Sequence, residues 1–382
     1  MKKFEVFFNI PSPYRLHLLR ALNKELSTRG VAFEAHFMAY GHANRPKTWL
    51  NPRIDFPHRY WSDWGFGERH FNPGLVLHGI LHPADWTWNG SPYDTFTGIL
   101  AALFGRCPNK IAGAEGNTKT PGIMTGFVGW FKHLIYSRCR FAAVPGSDAI
   151  RFMEMHQTHT RMKMPQPVVI PNLVDEMRFL PRDRWPVDLI VARRRTLCGT
   201  IDVEKICLIP ARLDEVKGLI PFVECLEPAW VKDWKVVILG QGPLKARIEE
   251  AIHRRGLQDH VAILDYVSYD EMPSYYASAD LLLLPSIYDP NPLSVPEALF
   301  SGLPVALSDQ AGNVEEGVSD GENGWRLPVT DLERFASVLR NVFATDLRQL
   351  REMGHRSLDV NARFWSTEEA VKRYLDGLGV CA

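Results

Sequence analysis

Short apolar runs alternate along this chain with longer stretches whose leucines recur at helical spacing. Residues 4–10 predict a buried strand. The loop Pro11-Ser12-Pro13-Tyr14-Arg15 follows, then Leu16, Leu18, Leu19, Leu22 and Leu26 predict a helix, and 31–38 predict a second strand. A strand, loop, helix and strand in that order open a parallel sheet. Residues 41–75, rich in Trp, Pro, His and Arg, show no clear period. Beyond them the apolar run at 77–82 predicts a strand. Asp85-Trp86-Thr87-Trp88-Asn89-Gly90 reads as a polar, aromatic loop. Helices are predicted over 92–104 and 127–140, strands at 110–114, 141–144 and 168–171, and a helix opening at Gly146-Ser147-Asp148.

Pro181 to Pro186 is dense in proline and charge, and Arg193-Arg194-Arg195 follows soon after. That composition predicts a change of domain, with a first domain at 1–185 and a second at 186–362. A second series of strands follows at 205–210, 234–239, 261–264, 281–285 and 304–307, with helical patterns between them. Such alternation predicts doubly wound, Rossmann-like α/β domains with ligand crevices at the carboxyl ends of their strands.

The length fits this picture, because 382 residues are many for one core and natural for two. Lys plus Arg and Asp plus Glu number 44 each, so no global field favours nucleic acid, and a nucleic-acid partner is not expected. The six cysteines include no CxxC pair, which fits neither a zinc site nor a disulfide framework and suits a reducing, cytoplasmic setting. The opening MKKFEVFFNI reads as a strand rather than a signal peptide, and no stretch approaches the roughly 20 apolar residues of a membrane span.

Candidate chemistry concentrates in 284–326. A strand ends at Pro285, a loop carries Asp289, and a helix begins near Ser294 with Glu297 in its first turn. Two cations, Arg212 and Lys217, follow the first strand of the second series. In that place they suit a diphosphate whose charge grows as a glycosidic bond breaks. The helix start after Pro292-Leu293-Ser294 would aim N–H groups at the same anion. Glu297 suits a pair of ribose hydroxyls, and Asp289 the hydroxyls of a transferred sugar. Plainer readings stand beside these. Ser294-x-x-Glu297 fits a capping box, Asp289-Pro290 a turn, and lone Arg212 or Lys217 a solvated surface. Gly240-x-Gly242 reads as a tight turn near a nucleotide, with Lys245 in place of a third dinucleotide-type glycine.

These motifs together resemble the retaining, family-4 type of glycosyltransferase (group 1), which has the GT-B fold: two Rossmann-like domains facing a deep cleft. The resemblance rests on Asp289-x7-Glu297, Gly302-Leu303-Pro304-Val305 and Asp320-Gly321-Glu322-Asn323-Gly324. Upstream it takes in Arg212, Lys217-Gly218, Gly240-Gln241-Gly242-Pro243 and Ala277-Ser278-Ala279-Asp280. Pro11 to Arg15 and Ile170 to Asp175 carry it more vaguely into the first domain.

The resemblance implies a nucleotide-diphosphate sugar, UDP- or GDP-linked, as co-substrate with no other cofactor. It also implies a glycan or lipid-linked acceptor, retention of anomeric configuration, and a final helix within 363–382 crossing back to the first domain. Arg212, Lys217 and Asp289 take the catalytic roles; Glu297, Gly242, Leu293, Ser294 and Pro292 line the donor. Metal is not expected, since no Asp-x-Asp occurs. On the acceptor side the candidates are Tyr14, Arg15, Asp85 and Glu115, each equally readable as a packing, capping or solvated residue. The helix at 127–140, with Phe127, Trp130, Lys132 and Arg138, adds peripheral membrane contact as a second reading beside burial. The chain departs from the family at Asp289, where glutamate is usual, which sets the carboxylate back by about 1.5 Å. Rival readings are a non-catalytic sugar-nucleotide-binding partner and a phosphorylase or epimerase on the same fold.

Overall fold

The computed structural model describes residues 1–41, 53–65, 69–119, 126–160, 163–199 and 203–381. The chain forms two compact units, one of Met1–Val174 with Thr367–Ala382 and one of Asp175–Ser366.

In the first unit β1 (Lys3–Phe8), α1 (Pro13–Thr28), β2 (Ala32–Phe37) and β3 (His58–Tyr60) are followed by α2 (Pro73–Leu81), β4 (Trp86–Asn89) and α3 (Phe96–Phe104). Then come β5 (Asn109–Gly113), α4 (Gly126–Ser137), β6 (Phe141–Val144), α5 (Ser147–Thr160) and β7 (Gln166–Val169). Among the described residues the sheet order is β3-β2-β1-β4-β5-β6-β7, with all pairings parallel. Successive side chains of β1 part to opposite faces. Phe4, Val6 and Phe8 join Leu19 and Leu22 of α1, whereas Phe7 joins Met38 and Leu75 under α2.

The second unit opens with α6 (Val187–Cys198) and β8 (Lys205–Pro210), then α7 (Leu219–Cys225), β9 (Trp234–Leu239), α8 (Lys245–Arg254), β10 (Val261–Leu264) and α9 (Met272–Ser278). It continues with β11 (Leu281–Leu284), α10 (Ser294–Phe300), β12 (Val305–Ser308), α11 (Val314–Gly317), β13 (Gly324–Leu327), α12 (Leu332–Ala344) and α13 (Leu347–Phe364). Its sheet runs β10-β9-β8-β11-β12-β13, again parallel throughout. Every residue of β9 and β11 is buried, as expected for strands covered by helices on both faces. In this order the chain winds outward one way from β8 to β10 and the other way from β11 to β13. The loops after β8 and β11 therefore diverge, and a crevice opens between them.

Three local expectations are corrected. The run at 77–82 forms the end of helix α2, with His82 at its cap, and not a strand. Asn72 precedes it and Pro73 fills its first turn, a position where the missing N–H costs nothing. The aromatic loop at 85–90 is instead strand β4, with Trp86 and Trp88 both buried. The proline-rich stretch at 181–186 is not where the units divide. Arg182 and Arg194 each meet Asp280 at 2.8 Å, Asp280 also accepts from the Ile206 N–H at 2.8 Å, and α6 packs on α9. These bonds tie the proline-rich segment to the second sheet, and the division falls at Val174/Asp175 rather than 185/186.

Helix α14 (Thr367–Gly377) belongs to the first unit, where it lies on α1 and β7. Tyr374 and Leu375 are fully buried there among Trp88, Leu22 and Val168. Leu375→Ala is expected to cost about 2–5 kcal/mol through the cavity it leaves. Denaturant unfolding monitored on the full chain measures this as destabilisation of the first unit.

Candidate functional site

The loops at the carboxyl end of the second sheet interlock through backbone contacts. After β8 the chain turns through 211–218. The Val216 carbonyl there accepts from the N–H groups of Ile287 at 2.9 Å and Tyr288 at 3.1 Å, in the loop after β11. Gly218 lies at φ +63°, and a Cβ on it would come within 2.2 Å of the Pro285 carbonyl oxygen. Only glycine fits both demands. Gly242 answers a similar need. A Cβ there would approach the Leu213 carbonyl oxygen to 2.4 Å, and the Leu213 carbonyl accepts from the Leu244 N–H at 3.0 Å. The exposed Gly240-x-Gly242 turn is thus fixed by loop-to-loop contact, whatever it touches besides.

This scaffold brings Lys217 and Asp289 together. Lys217 Nζ donates to Asp289 Oδ2 at 2.5 Å, with the two side chains only 17% and 12% exposed. Asp289 is pinned by its own backbone, since its carbonyl accepts from the Gly312 N–H at 2.9 Å. The pair spans the point where β8 and β11 diverge. Arg212 does not join it. Its guanidinium is largely exposed and pairs with Asp214 at 2.9 Å.

The capping-box reading of Ser294 and Glu297 fails. Helix α10 has Leu293 at its cap position in helical conformation, with no side-chain cap, and the Glu297 N–H bonds to the Leu293 carbonyl at 3.2 Å. Glu297 is 5% exposed, and its Oε2 accepts from the Tyr276 hydroxyl at 2.6 Å. Tyr276 was not among the expected residues. Its signal in the sequence was a tyrosine in an apolar helix, whose hydroxyl must find a partner when buried. Pro292 is buried, and its carbonyl accepts from Asn313 Nδ2 at 3.0 Å; Leu293 and Ser294 are half-buried.

In the first unit the structure separates the four acceptor-side candidates. Arg15 Nη2 meets Glu115 Oε1 at 2.8 Å, at the carboxyl end of the sheet, and the Arg15 guanidinium lies 4.7 Å from the Phe8 ring centroid. A crevice of about 20 Å³, room for little more than water, lies beside them. Tyr14 sits half-buried in the first turn of α1. Asp85 is at the opposite edge. It precedes β4 and accepts from the Lys3 N–H at 2.8 Å, at the start of β1. Reading β4 as a loop had placed Asp85 at the wrong end of the sheet. In α4, Ile135 and Tyr136 are buried and Trp130 is exposed, while the Phe127 side chain lies outside the described residues. Among the described residues no helix is long and apolar enough to cross a membrane.

Among the described residues one trio, Glu5, His36 and His78, brings metal-ligating atoms within 4.8 Å of one another. Trp61 Nε1–H donates to His36 Nδ1 at 3.1 Å, so the proton of the neutral ring sits on Nε2, facing Glu5 Oε1 at 3.4 Å. Glu5 Oε1 also holds Lys3 Nζ at 2.6 Å and His78 Nε2 at 3.0 Å. With His36 Nε2 protonated and an ammonium already on the carboxylate, the trio is built as a hydrogen-bonded charge network rather than a metal seat.

Two doubly wound, parallel α/β units, the second with an acidic loop and helix at its switch point, define the GT-B class of fold. Residues 199–356, all within the second unit, match the family model of glycosyl transferases group 1. The amylovoran biosynthesis glycosyltransferase AmsK of Erwinia amylovora is 31% identical over 137 residues, 34% of this chain and 33% of that protein. The alpha-D-kanosaminyltransferase of Streptomyces kanamyceticus is 27% identical over 183 residues, 47% of each chain. The chain thus spans about a third to a half of the length of these curated relatives. Anabaena HepE, solved in complex with UDP, superimposes with a TM-score of 0.73 over 99% of this chain and 100% of its own, at 15% identity.

Two predictions follow from the buried polar groups. Burial pushes the Glu5 carboxyl up, but hydrogen bonds from His36, Lys3 and His78 outweigh it and hold the group at about 2, below the ordinary 4.5. Burial lowers His36 below 6.5, opposed in part by Glu5. Both groups bind protons more readily in the unfolded chain, so stability present at neutral pH is lost as pH falls below 6.5, and further from 4.5 toward 2. Glu5→Gln is expected to flatten the acid part of a stability–pH profile. Tyr276→Phe removes one donor from a buried carboxylate and is expected to cost about 1–3 kcal/mol in denaturant unfolding.

Proposed function

We propose that this protein transfers a sugar from a nucleotide-diphosphate sugar to an acceptor hydroxyl, with retention of configuration, in the assembly of a polysaccharide or other glycan. The observation that carries the reading is the Lys217–Asp289 pair at the switch point of the second sheet, with Glu297 buried on the helix that follows. The match to glycosyl transferases group 1 and the similarity to an amylovoran biosynthesis glycosyltransferase support it.

In this reading Lys217 and Arg212 meet the diphosphate of the donor and stabilise the charge that develops as the glycosidic bond breaks. Lys217 is half of an ion pair before the donor arrives, so the diphosphate shares an ammonium whose charge Asp289 already fixes in place. Arg212, exposed and paired with Asp214, closes from solvent. Asp289 positions hydroxyls of the transferred sugar. Glu297, with Oε2 held by Tyr276, takes the ribose hydroxyls. Pro292, Leu293, Ser294 and Gly242 contribute backbone around the donor. Charge on the diphosphate is met by these side chains without a metal ion. Arg15, Glu115 and Tyr14 are the acceptor candidates that remain, and Asp85 is not.

The solved UDP complex of Anabaena HepE makes UDP the first nucleotide to try, with GDP beside it. A thermal-shift series with UDP, GDP, ADP and their sugars is expected to raise the melting temperature for at least one. Glu297→Gln is expected to weaken that nucleotide by about 1–3 kcal/mol. Unchanged affinity in a folded variant removes the ribose assignment. Tight binding without transfer to any glycan or lipid-linked acceptor points instead to a non-catalytic binding partner.

A further inference from the structure

A second concavity of the Asp175–Ser366 unit lies at the amino ends of its strands, the edge opposite the donor loops. It holds about 520 Å³. Ala279 and Asp280 precede β11 and Pro304 precedes β12, which fixes its place on that edge. One wall is α6, which presents Val187, Ile190 and Val191. The other is α13, which presents Leu347, Leu350 and Leu358. Val187 and Val191 are 74% and 41% exposed, an apolar mouth that the described structure leaves open to solvent.

The polar groups around this apolar space are mostly basic. Arg351 and His355 stand one turn apart on the pocket face of α13, and Arg184 stands beside α6. None of these three side chains has an ion pair or hydrogen bond among the described residues. The one buried acid in the lining, Asp280, is already matched by Arg182 and Arg194. The other acid, Asp183, is exposed, as are Arg184, Arg351 and His355 at the rim. An apolar chamber with two arginines and a histidine unspent at its walls suits a ligand with an apolar body and a multiply charged anionic head.

We propose that this pocket binds a single amphiphilic anion: an aliphatic chain bearing a phosphate monoester. The chain lies between α6 and α13, and the phosphate meets Arg184, Arg351 and His355. The site lies across the sheet from Lys217 and Asp289, so its ligand is distinct from the donor, and the inference stands whether or not the donor reading does.

The test is calorimetric titration of the full chain with dodecyl phosphate below its micelle-forming concentration. Dodecanol, inorganic phosphate and phosphatidylglycerol vesicles serve as separate arms. Saturable one-to-one binding of dodecyl phosphate is expected, with dodecanol and inorganic phosphate each weaker by about tenfold or more. The double variant Arg184→Ala/Arg351→Ala is expected to lose about tenfold in affinity. Val191→Trp, at an exposed position in the mouth, is expected to abolish binding with an unchanged melting temperature. UDP is expected not to displace the probe. Equal affinity in both variants, equal affinity for dodecanol, or displacement by UDP overturns the proposal. Binding to the vesicles without binding of the monomeric probe also overturns it, in favour of a membrane surface.

Discussion

The Lys217–Asp289 ion pair closes the point where the second sheet reverses its winding. The loops after β8 and β11 leave the sheet in opposite senses, and two backbone bonds to Val216 and one ion pair hold them together. Each charge is nearly buried, so each depends on the other: removing one partner would strand a charge out of water. Gly218 is the steric condition for this arrangement. Any side chain there would drive the β8 loop off the Pro285 carbonyl and separate the pair. Lys217, at the end of the turn that Gly218 closes, reaches the Asp289 carboxylate on the loop after β11.

Much of the second unit was legible because its strands are buried on both faces. Continuous apolar runs such as Leu281–Leu284 leave little choice of structure or place. The first unit was harder to read where aromatic residues blur the period. Trp86-Thr87-Trp88-Asn89 carries two polar residues in four, yet both tryptophans face the core beside Phe4, Phe8 and Tyr374. The run at 77–82 is apolar enough for a strand and too short for its helical period to show. Only Asn72-Pro73 marked a helix start. One misplaced strand then carried Asp85 to the wrong edge, because an edge is assigned by counting which side of a strand a residue falls on.

At the candidate site, the residue types could be read from the sequence but their pairings could not. Arg212 and Lys217 looked equivalent as two cations after one strand. The fold distinguishes them: Lys217 lies in the short turn that Gly218 brings under Pro285, and Arg212 stays outside with Asp214. Glu297 and Ser294 had the spacing of a capping box, but the helix starts one residue earlier than that motif requires. The carboxylate turns inward to Tyr276, a partner from a different helix that no local pattern could supply.

The segment between the two series of strands shows how composition misleads. Proline and charge at 181–186 suggested a change of domain, yet the charges of 182–194 serve the second unit from within. Asp280, at the entrance to β11, gathers Arg182, Arg194 and the Ile206 N–H, and so binds α6 to the strands it precedes. The same Asp280 takes up Arg182 and Arg194, and among the described residues Arg184, Arg351 and His355 have no acid paired with them. The two edges of this sheet are therefore built on opposite electrostatic plans. At the carboxyl edge the half-buried Lys217 is matched by Asp289. At the amino edge the buried Asp280 is matched by two arginines, and Arg184, Arg351 and His355 border an apolar chamber.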